Sequence, residues 1–550
     1  MKRLVSSLAL LLACGGAGSG APPATVPGGD APAAPASEAG APTGTAAAPA
    51  ATQTAQPQEL TFPEGEAFRL EQPAAGSPRS FQLPQVKSFT LESGLRVFLV
   101  ERHALPLVSL DLNFEGGGLR DPAGKEGLAG ACMDLLSEST AELDKIQLSE
   151  ALGDIASNVD SYATADSAGV RLFSLSKHFD ATFALFADVL RAPGLRASDF
   201  ERLVKRRIET VRQNKGVPAS VANRVSGPVL YGATHPFGAV TTEASLAGLQ
   251  LDDCKRHLTS VVAPQGARLF VVGDLTEAQI RAAFAQGKLA AWRGAPAKLP
   301  ALPSPSTLQG RIAFVHIPGA AQSSVSVLHF GPKRAAPDYF PTTLMASVFG
   351  GSFSSRINMN LREAKGYSYG ARGGFSYNRQ YGVFSASAAV RTDSTYQTLL
   401  EIDREVRELA QGKRPVLQEE LEREKQGAIL GLPGQFATSQ SALAQYRSLV
   451  YFDLPLDYYN GFVGQVGKVT EAQVKGAAAK HLVPGKGVYV VVGDGDAKVI
   501  QRDPSTGQDV PYTKDGQQLT LRQALTELAR RGDVGKGALI ELDADGRPKG

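Results

Sequence analysis

Apolar positions recur along this chain with two periods. Residues 107–115 alternate, with Val108, Leu110, Leu112 and Phe114 set against Ser109, Asp111 and Asn113, the two-residue period of a half-buried strand. Residues 179–190, 200–211 and 396–409 place apolar side chains every three or four positions, which predicts long helices packed along one stripe. The pattern occurs twice. Residues 94–114, GLRVFLVERHALPLVSLDLNF, lie over residues 310–330, GRIAFVHIPGAAQSSVSVLHF, with Gly94 on Gly310 and Phe114 on Phe330, an offset of 216. FVVGD at 270–274 and VVVGD at 490–494 repeat at an offset of 220. Matched order at both ends reads as a duplicated unit of about 200 residues.

This pattern predicts an α+β fold of two tandem homologous α/β sandwich domains, each an antiparallel-rich sheet with helices packed on it. The repeats are placed at 85–290 and 309–500, joined by a Pro-rich linker at 291–308. Residues 501–550 form a C-terminal tail, in which 519–531 reads as one amphipathic helix stopped by Gly532. DADG at 543–546 starts like a calcium loop but lacks the later Glu, so it reads as a turn and the tail is given no chemistry.

Composition and charge then narrow the function. The chain has 550 residues and a net charge of +3, and no basic run exceeds Lys205, Arg206 and Arg207, so no footprint for nucleic acid is visible. No Lys or Arg lies between Arg3 and Arg69, and no aromatic residue precedes Phe62. MKRLVSSLALLLA at 1–13 has two positive charges and an apolar stretch too short to span a bilayer, which is the form of a secretion signal. LLAC followed by Gly15 resembles the lipobox of bacterial lipoproteins, and implies lipidation at Cys14. From 15 to 55, 37 of 41 residues are Gly, Ala, Pro, Ser or Thr, so 15–60 is expected to be a disordered Ala/Pro/Gly linker. The expected location is the bacterial cell envelope, lipid-anchored to the outer membrane and facing the periplasm. Cys14, Cys132 and Cys254 are too far apart in sequence to suggest a disulfide framework, and no CxxC pair exists for structural zinc. Only Cys254 and His257 have a ligand-like spacing, a weak signal alone. No two of the seven His lie three or four residues apart, and no G-x-S-x-G elbow occurs.

EGGGLRDPAGKEGLAGACMDLLSEST at 115–140 resembles the segment of the insulinase or pitrilysin family of zinc peptidases, which includes mitochondrial processing peptidase, where GLA leads into H-x-x-E-H. In that motif two His one turn apart bind zinc and the Glu serves as general base. Laid over it, the first His position is Gly130, the Glu position is Met133 and the second His position is Asp134. The family's third ligand falls at Thr210, with Glu209 one position away and rotated about 100° around the helix. The motif is therefore degenerate. GACMD at 130–134 reads as a packed helix with Cys132 as a small core residue. A hard cation held by Asp134 and Glu209 is the weaker alternative.

FGGSFSSRINMNLREAKGYSYG at 349–370 is similar to the family's second-repeat segment, a Gly-rich stretch, a helix ending in LRE, then KG and a Tyr-bearing strand. The spacing predicts a helix over 339–348, a break at Gly350 and Gly351, a second helix to Lys365, and Gly366 at its C′ position. Tyr367 and Tyr369 are then expected on one face of the emerging strand. By the resemblance, Arg362 and Tyr369 are the pair that hydrogen-bonds the scissile carbonyl as it becomes an oxyanion. Oxyanion donors without the metal motif are what the zinc-free chains of the family's split forms look like. The resemblance thus implies a subunit inactive alone, with no cofactor of its own. It would donate Arg362 and Tyr369 to a zinc-bearing partner that carries H-x-x-E-H, around a chamber for a peptide or unfolded polypeptide. The alternative is a pseudopeptidase lipoprotein that binds or scaffolds peptides or envelope proteins without cleavage.

Overall fold

A computed structural model describes residues 65–70 and 83–549. The signal with Cys14 and the linker at 15–60 lie outside the described residues. Residues 65–70 contribute a single short turn of helix, Ala67–Leu70.

The first repeat supplies strands β1 (Lys87–Thr90), β2 (Arg96–Glu101), β3 (Leu107–Glu115), β4 (Asn158–Ala163), β5 (Ser167–Leu175) and β6 (Arg268–Gly273), in the order β1-β2-β6-β3-β5-β4. The second supplies β7 (Ile312–His316), β8 (Gln322–Gly331), β9 (Ser368–Tyr377), β10 (Gly382–Arg391) and β11 (Val488–Gly493), in the order β7-β11-β8-β10-β9. In both sheets the first of these shared pairs, β2 with β6 and β7 with β11, is parallel and the others are antiparallel. Gly94 and Gly310, superposed by the sequence offset, enter β2 and β7 at φ of 84° and 69°, a backbone region that favours glycine.

The sixth strand differs between the sheets. β1 adds to β2 antiparallel, whereas in the second sheet the C-terminal strand Ile540–Leu542 adds to β7 in parallel. The tail is therefore part of the fold. Its helix Leu521–Arg531 has a capping box at Thr520 and a left-handed Gly532, and buries Leu521, Leu525 and Leu528 in the second repeat's core. The 543–546 segment is a turn, with the Asp543 carboxylate accepting from the N–H groups of Asp545 and Arg547. Asp545 also accepts from Lys215 at 2.8 Å and Arg224 at 2.5 Å, so the tail reaches the first repeat.

Each sheet is covered on both faces, which corrects the half-buried reading of β3. One face packs on the repeat's own helices. The other face of the first sheet, with Phe98, Val100, Phe270 and Val272, is covered by the second repeat's helix Ser439–Tyr451 through Leu443, Tyr446 and Leu449. Reciprocally, Val315, Val488, Val490 and Val492 of the second sheet receive the first repeat's helix Pro218–Tyr231 through Val221, Val225 and Val229. Runs such as VVVG are continuous because both faces are dry. Each such side chain contributes about 1.5–3 kcal/mol on burial.

The polar residues Ser109, Asp111 and Asn113 lie beneath this covering helix and are buried. Asp111 is 1% exposed and accepts hydrogen bonds from Arg447 at 2.8 Å and from the Tyr162 hydroxyl at 2.8 Å. Asn113 donates to the Tyr162 oxygen at 3.0 Å. Burial, and after it the Asp111 carboxylate, push the Tyr162 hydroxyl pKa up. Without Arg447 the buried carboxylate keeps the Tyr162 hydroxyl and a more distant cation, Arg171 Nε at 3.8 Å. Arg447→Ala should therefore lower unfolding stability by about 1–3 kcal/mol in urea titration, whereas no measurable loss would show that the pair does not join the repeats.

Candidate functional site

The degenerate motif lies on helix Leu128–Leu136. Its N-terminus is capped from a distance: Asp121 accepts from the N–H groups of Gly127 and Ala129, each at 2.8 Å. Burial outweighs these bonds and raises the Asp121 pKa to about 6. Across from the motif runs helix Ala197–Asn214, which brings in a residue the sequence reading passed over, Arg207. Its Nε and Nη2 donate to the same Asp134 oxygen at 3.0 and 2.7 Å. A Cβ at Gly130 would come to 3.0 Å from Arg207 Nη1 and 3.1 Å from Nη2. Glycine at the first His position thus makes room for a guanidinium, and aspartate at the second His position holds it.

The remaining positions offer no ligand set. Met133 is fully buried, and its carbonyl accepts from the Ser161 hydroxyl. The Thr210 hydroxyl donates to the Arg206 carbonyl at 3.0 Å. Glu209 pairs with Arg212 at 2.7 Å, so it and Asp134 are each engaged by a different arginine and are not gathered for a shared ion. A zinc ion does not fit these residues. There is no imidazole or thiolate, the one carboxylate facing the motif is bound by a cation, and a dication would meet a fixed positive charge.

Cys132 and Cys254 form a disulfide, Cα to Cα 4.9 Å. Cys132 is a buried core residue as expected, but the pairing corrects the expectation that the cysteines are too far apart for a disulfide, and it takes Cys254 out of any ligand pair with His257. A sequence separation of 122 residues hides a pair that folding brings together, and closing such a loop stabilises by about 4–5 kcal/mol in the chain-entropy account. The motif helix is thus tied to helix Ala197–Asn214 by an ion pair and to helix Leu251–Val261 by a covalent bond. His257 on the latter is buried, its Nε2 has no partner among the described residues, and burial lowers its pKa to about 4.

The second-repeat segment is built from two wide, π-type turns, Ser347–Gly351 and Met359–Ala364, around a short α turn Arg356–Asn358. Such turns are rare and occur often at functional sites. Arg362 lies in the second. Gly366 (φ 62°) closes the segment as the spacing predicts, donating to the Arg362 carbonyl, while Tyr367 N–H donates to the Leu361 carbonyl.

Tyr367 and Tyr369 do not share a face. Tyr367 is 1% exposed and its hydroxyl donates to Asp509, whereas Tyr369 is 88% exposed. The cause is a β-bulge: Tyr369 and Gly370 together oppose Ala389, between the pairs Ser368↔Val390 and Ala371↔Ala388. The Ser368 hydroxyl fixes the bulge by donating to the Ala389 carbonyl at 2.8 Å and accepting from Gly370 N–H at 3.0 Å. Bulges re-aim side chains in this way. Tyr369 turns out to meet Arg362, whose guanidinium carbon lies 4.8 Å from the Tyr369 ring centre and 4.7 Å from that of exposed Phe353. Arg362 Nε faces Glu363 at 3.2 Å, and its terminal nitrogens carry no hydrogen bond among the described residues. Two aromatic faces therefore hold an arginine at the surface with donors free.

Phe353 and Arg207 are the members of these two sites that the sequence reading missed. A signal existed for Arg207, which lies three residues before Thr210 and so on the same helix face.

Comparison with known proteins gives the chain's family and fold. Residues 96–229 match the family model described as Insulinase (Peptidase family M16), and residues 248–428 match that described as Peptidase M16 inactive domain. The protein called Non-peptidase homolog YmxG of Helicobacter pylori is 21% identical over 395 residues, 70% of this chain and 88% of that protein. Bacillus subtilis has a relative called Uncharacterized zinc protease YmxG, 19% identical over 54% of this chain and 71% of its own length. Among solved structures, a peptidase M16 inactive domain from Pseudomonas fluorescens is 27% identical with a TM-score of 0.68, covering 74% of this chain and 98% of that one. A protease from Helicobacter pylori shares the fold at 17% identity, with a TM-score of 0.69 over 75% of this chain and all of that one.

Two outcomes are expected. Restoring the ligands with Gly130→His, Met133→Glu, Asp134→His and Thr210→Glu should bind zinc on the order of 100-fold more weakly than the same set combined with Arg207→Ala. Equal affinities by calorimetry would mean that the guanidinium does not oppose a metal. His257 has a folded pKa of about 4, below the value near 6.5 of an unfolded chain, so unfolding takes up a proton between the two. Its contribution is present above pH 6.5 and is lost as pH falls toward 4, by up to about 3 kcal/mol. Urea midpoints of His257→Asn should accordingly fall less steeply than wild type over this range, and parallel profiles would refute the assignment.

Proposed function

The chain belongs to the insulinase family of zinc peptidases, and from that membership we propose that it is the zinc-free subunit of a heterodimeric metallopeptidase. The observation that carries this reading is the contrast between its two halves. The motif helix holds Arg207 where a metal would be needed, while Arg362 and Tyr369 stand ready at the surface. The chain is inactive alone, and water activation comes from zinc in a partner with H-x-x-E-H. Arg362 and Tyr369 enter the partner's site and donate hydrogen bonds to the carbonyl oxygen of a bound peptide as negative charge develops on it. Phe353 and Glu363 fix the guanidinium beforehand, so little reorganisation is needed in the transition state. The two chains enclose a chamber for a peptide or unfolded polypeptide.

Cys14, lipidated, anchors this subunit to the bacterial outer membrane on the periplasmic side. The Cys132–Cys254 disulfide supports an oxidising compartment outside the cytoplasm. Among the described residues no helix is long and apolar enough to cross a membrane.

A second reading is favoured by the description of the Helicobacter pylori relative as a non-peptidase homolog: a pseudopeptidase lipoprotein that holds peptides or envelope proteins without cutting. The two readings differ in whether a zinc-bearing chain co-purifies. In the reconstituted pair, Arg362→Ala and Tyr369→Phe should each lower kcat/KM by about 10²–10³ while the two chains still elute together. Full activity in both variants would remove the donor role, and the absence of any co-purifying zinc chain would favour the second reading.

A further inference from the structure

The two repeats meet around a small, partly open cleft of about 30 Å³ that is lined by Glu115, Asp166, Arg268, Arg379 and Gln380, with Leu299 of the linker as an apolar wall. Arg379, in the turn between β9 and β10, donates through Nη1 to Glu115 at 2.7 Å and through Nε to the Tyr451 carbonyl at 2.8 Å. Its Nη2 is buried without a partner. Arg268, the first residue of β6, is half-buried and makes no hydrogen bond or ion pair among the described residues. Burial and the neighbouring charge of Arg379 lower its pKa, against the opposing pull of the Glu115 and Asp453 carboxylates. The acceptors of the cleft are already engaged: Glu115 holds Arg379, and Asp166 accepts from the hydroxyls of Tyr451 and Thr164. Two guanidinium groups from different repeats thus face a partly enclosed space with unmet donors, a costly arrangement unless an acceptor enters.

We propose that this cleft is a binding site for a small carboxylate, taken by the planar fork of Arg268 with Arg379 Nη2 as a further donor. A carboxylate presents two coplanar oxygens that match the arginine fork. About 30 Å³ admits the carboxylate group alone, and the open side of the cleft, beside Leu299, leaves the carbon that bears it outside. Because Arg268 comes from the first repeat and Arg379 from the second, occupancy draws the repeats together. The site is separate from Arg362 and Tyr369 and does not depend on the peptidase reading. Its ligand is either a carboxylate carried by a polypeptide or a free small anion.

The test is thermal unfolding of the full chain titrated with sodium acetate, with ionic strength held constant by sodium chloride and a parallel titration with sodium chloride alone as the baseline. The midpoint should rise saturably by about 2–4 °C. Arg268→Met should abolish the rise. Gln380→Glu, at an exposed turn position, should abolish it too by supplying a tethered carboxylate, which guards against a folding defect in the first variant. No saturable rise in wild type, or an undiminished rise in both variants, would overturn the proposal. An N-acetylated tripeptide ending in Ala with a free carboxylate, compared with its amide, identifies the source. Displacement of acetate by the acid alone assigns a polypeptide carboxylate, and displacement by neither assigns a free anion.

Discussion

Arg207 sits with its guanidinium against Gly130 and its charge on Asp134, and the chemistry open to the first repeat follows from that contact. A glycine at this position is needed because any Cβ would press on the guanidinium at 3.0 Å. The aspartate is needed because a partly buried arginine without a counter-charge is costly. A bound metal ties together the elements that supply its ligands as well as doing chemistry. Here the joining is done by an ion pair to one neighbouring helix and a disulfide to another. The scaffold keeps its rigidity, while the capacity to activate water is absent from the residues that face the motif.

The second constraint is the exchange of helices between repeats. Helix Ser439–Tyr451 covers the first sheet and helix Pro218–Tyr231 covers the second, so neither sheet is dry on both faces without the other repeat. Arg447 on Asp111 sets the register of one of these contacts. The C-terminal strand and Asp545 add a further tie, from the edge of the second sheet to Lys215 and Arg224. With the repeats fixed in this way, the wide turn bearing Arg362 and the bulge bearing Tyr369 stand on a rigid base, which is what the proposed donor role would require.

What the sequence revealed depended on whether the signal was local. The helical periods at 179–190, 200–211 and 396–409 appear as helices Phe179–Arg191, Ala197–Asn214 and Thr395–Ala410, because an amphipathic stripe is written into neighbouring residues. The duplication was legible for the same reason. Asp111 was misread as a solvent-facing position because its cover comes from residues more than 300 positions away. Cys132 and Cys254 gave no sign of pairing, since their approach depends on the packing of two helices. Tyr369 was placed on the face of Tyr367 because strict alternation was assumed, and the bulge that breaks it exists only when β9 pairs with β10. The erased ligands were plain from residue identity alone, but the residue that fills their place was not.

The central claim is that a fixed cation has replaced the metal in this chain. It is tested most directly by calorimetric titration of zinc into the purified full chain, with Asp134→Ala as the control. The account predicts no zinc binding that depends on Asp134, so that the two proteins titrate alike. One zinc bound per wild-type chain and lost in Asp134→Ala would contradict it.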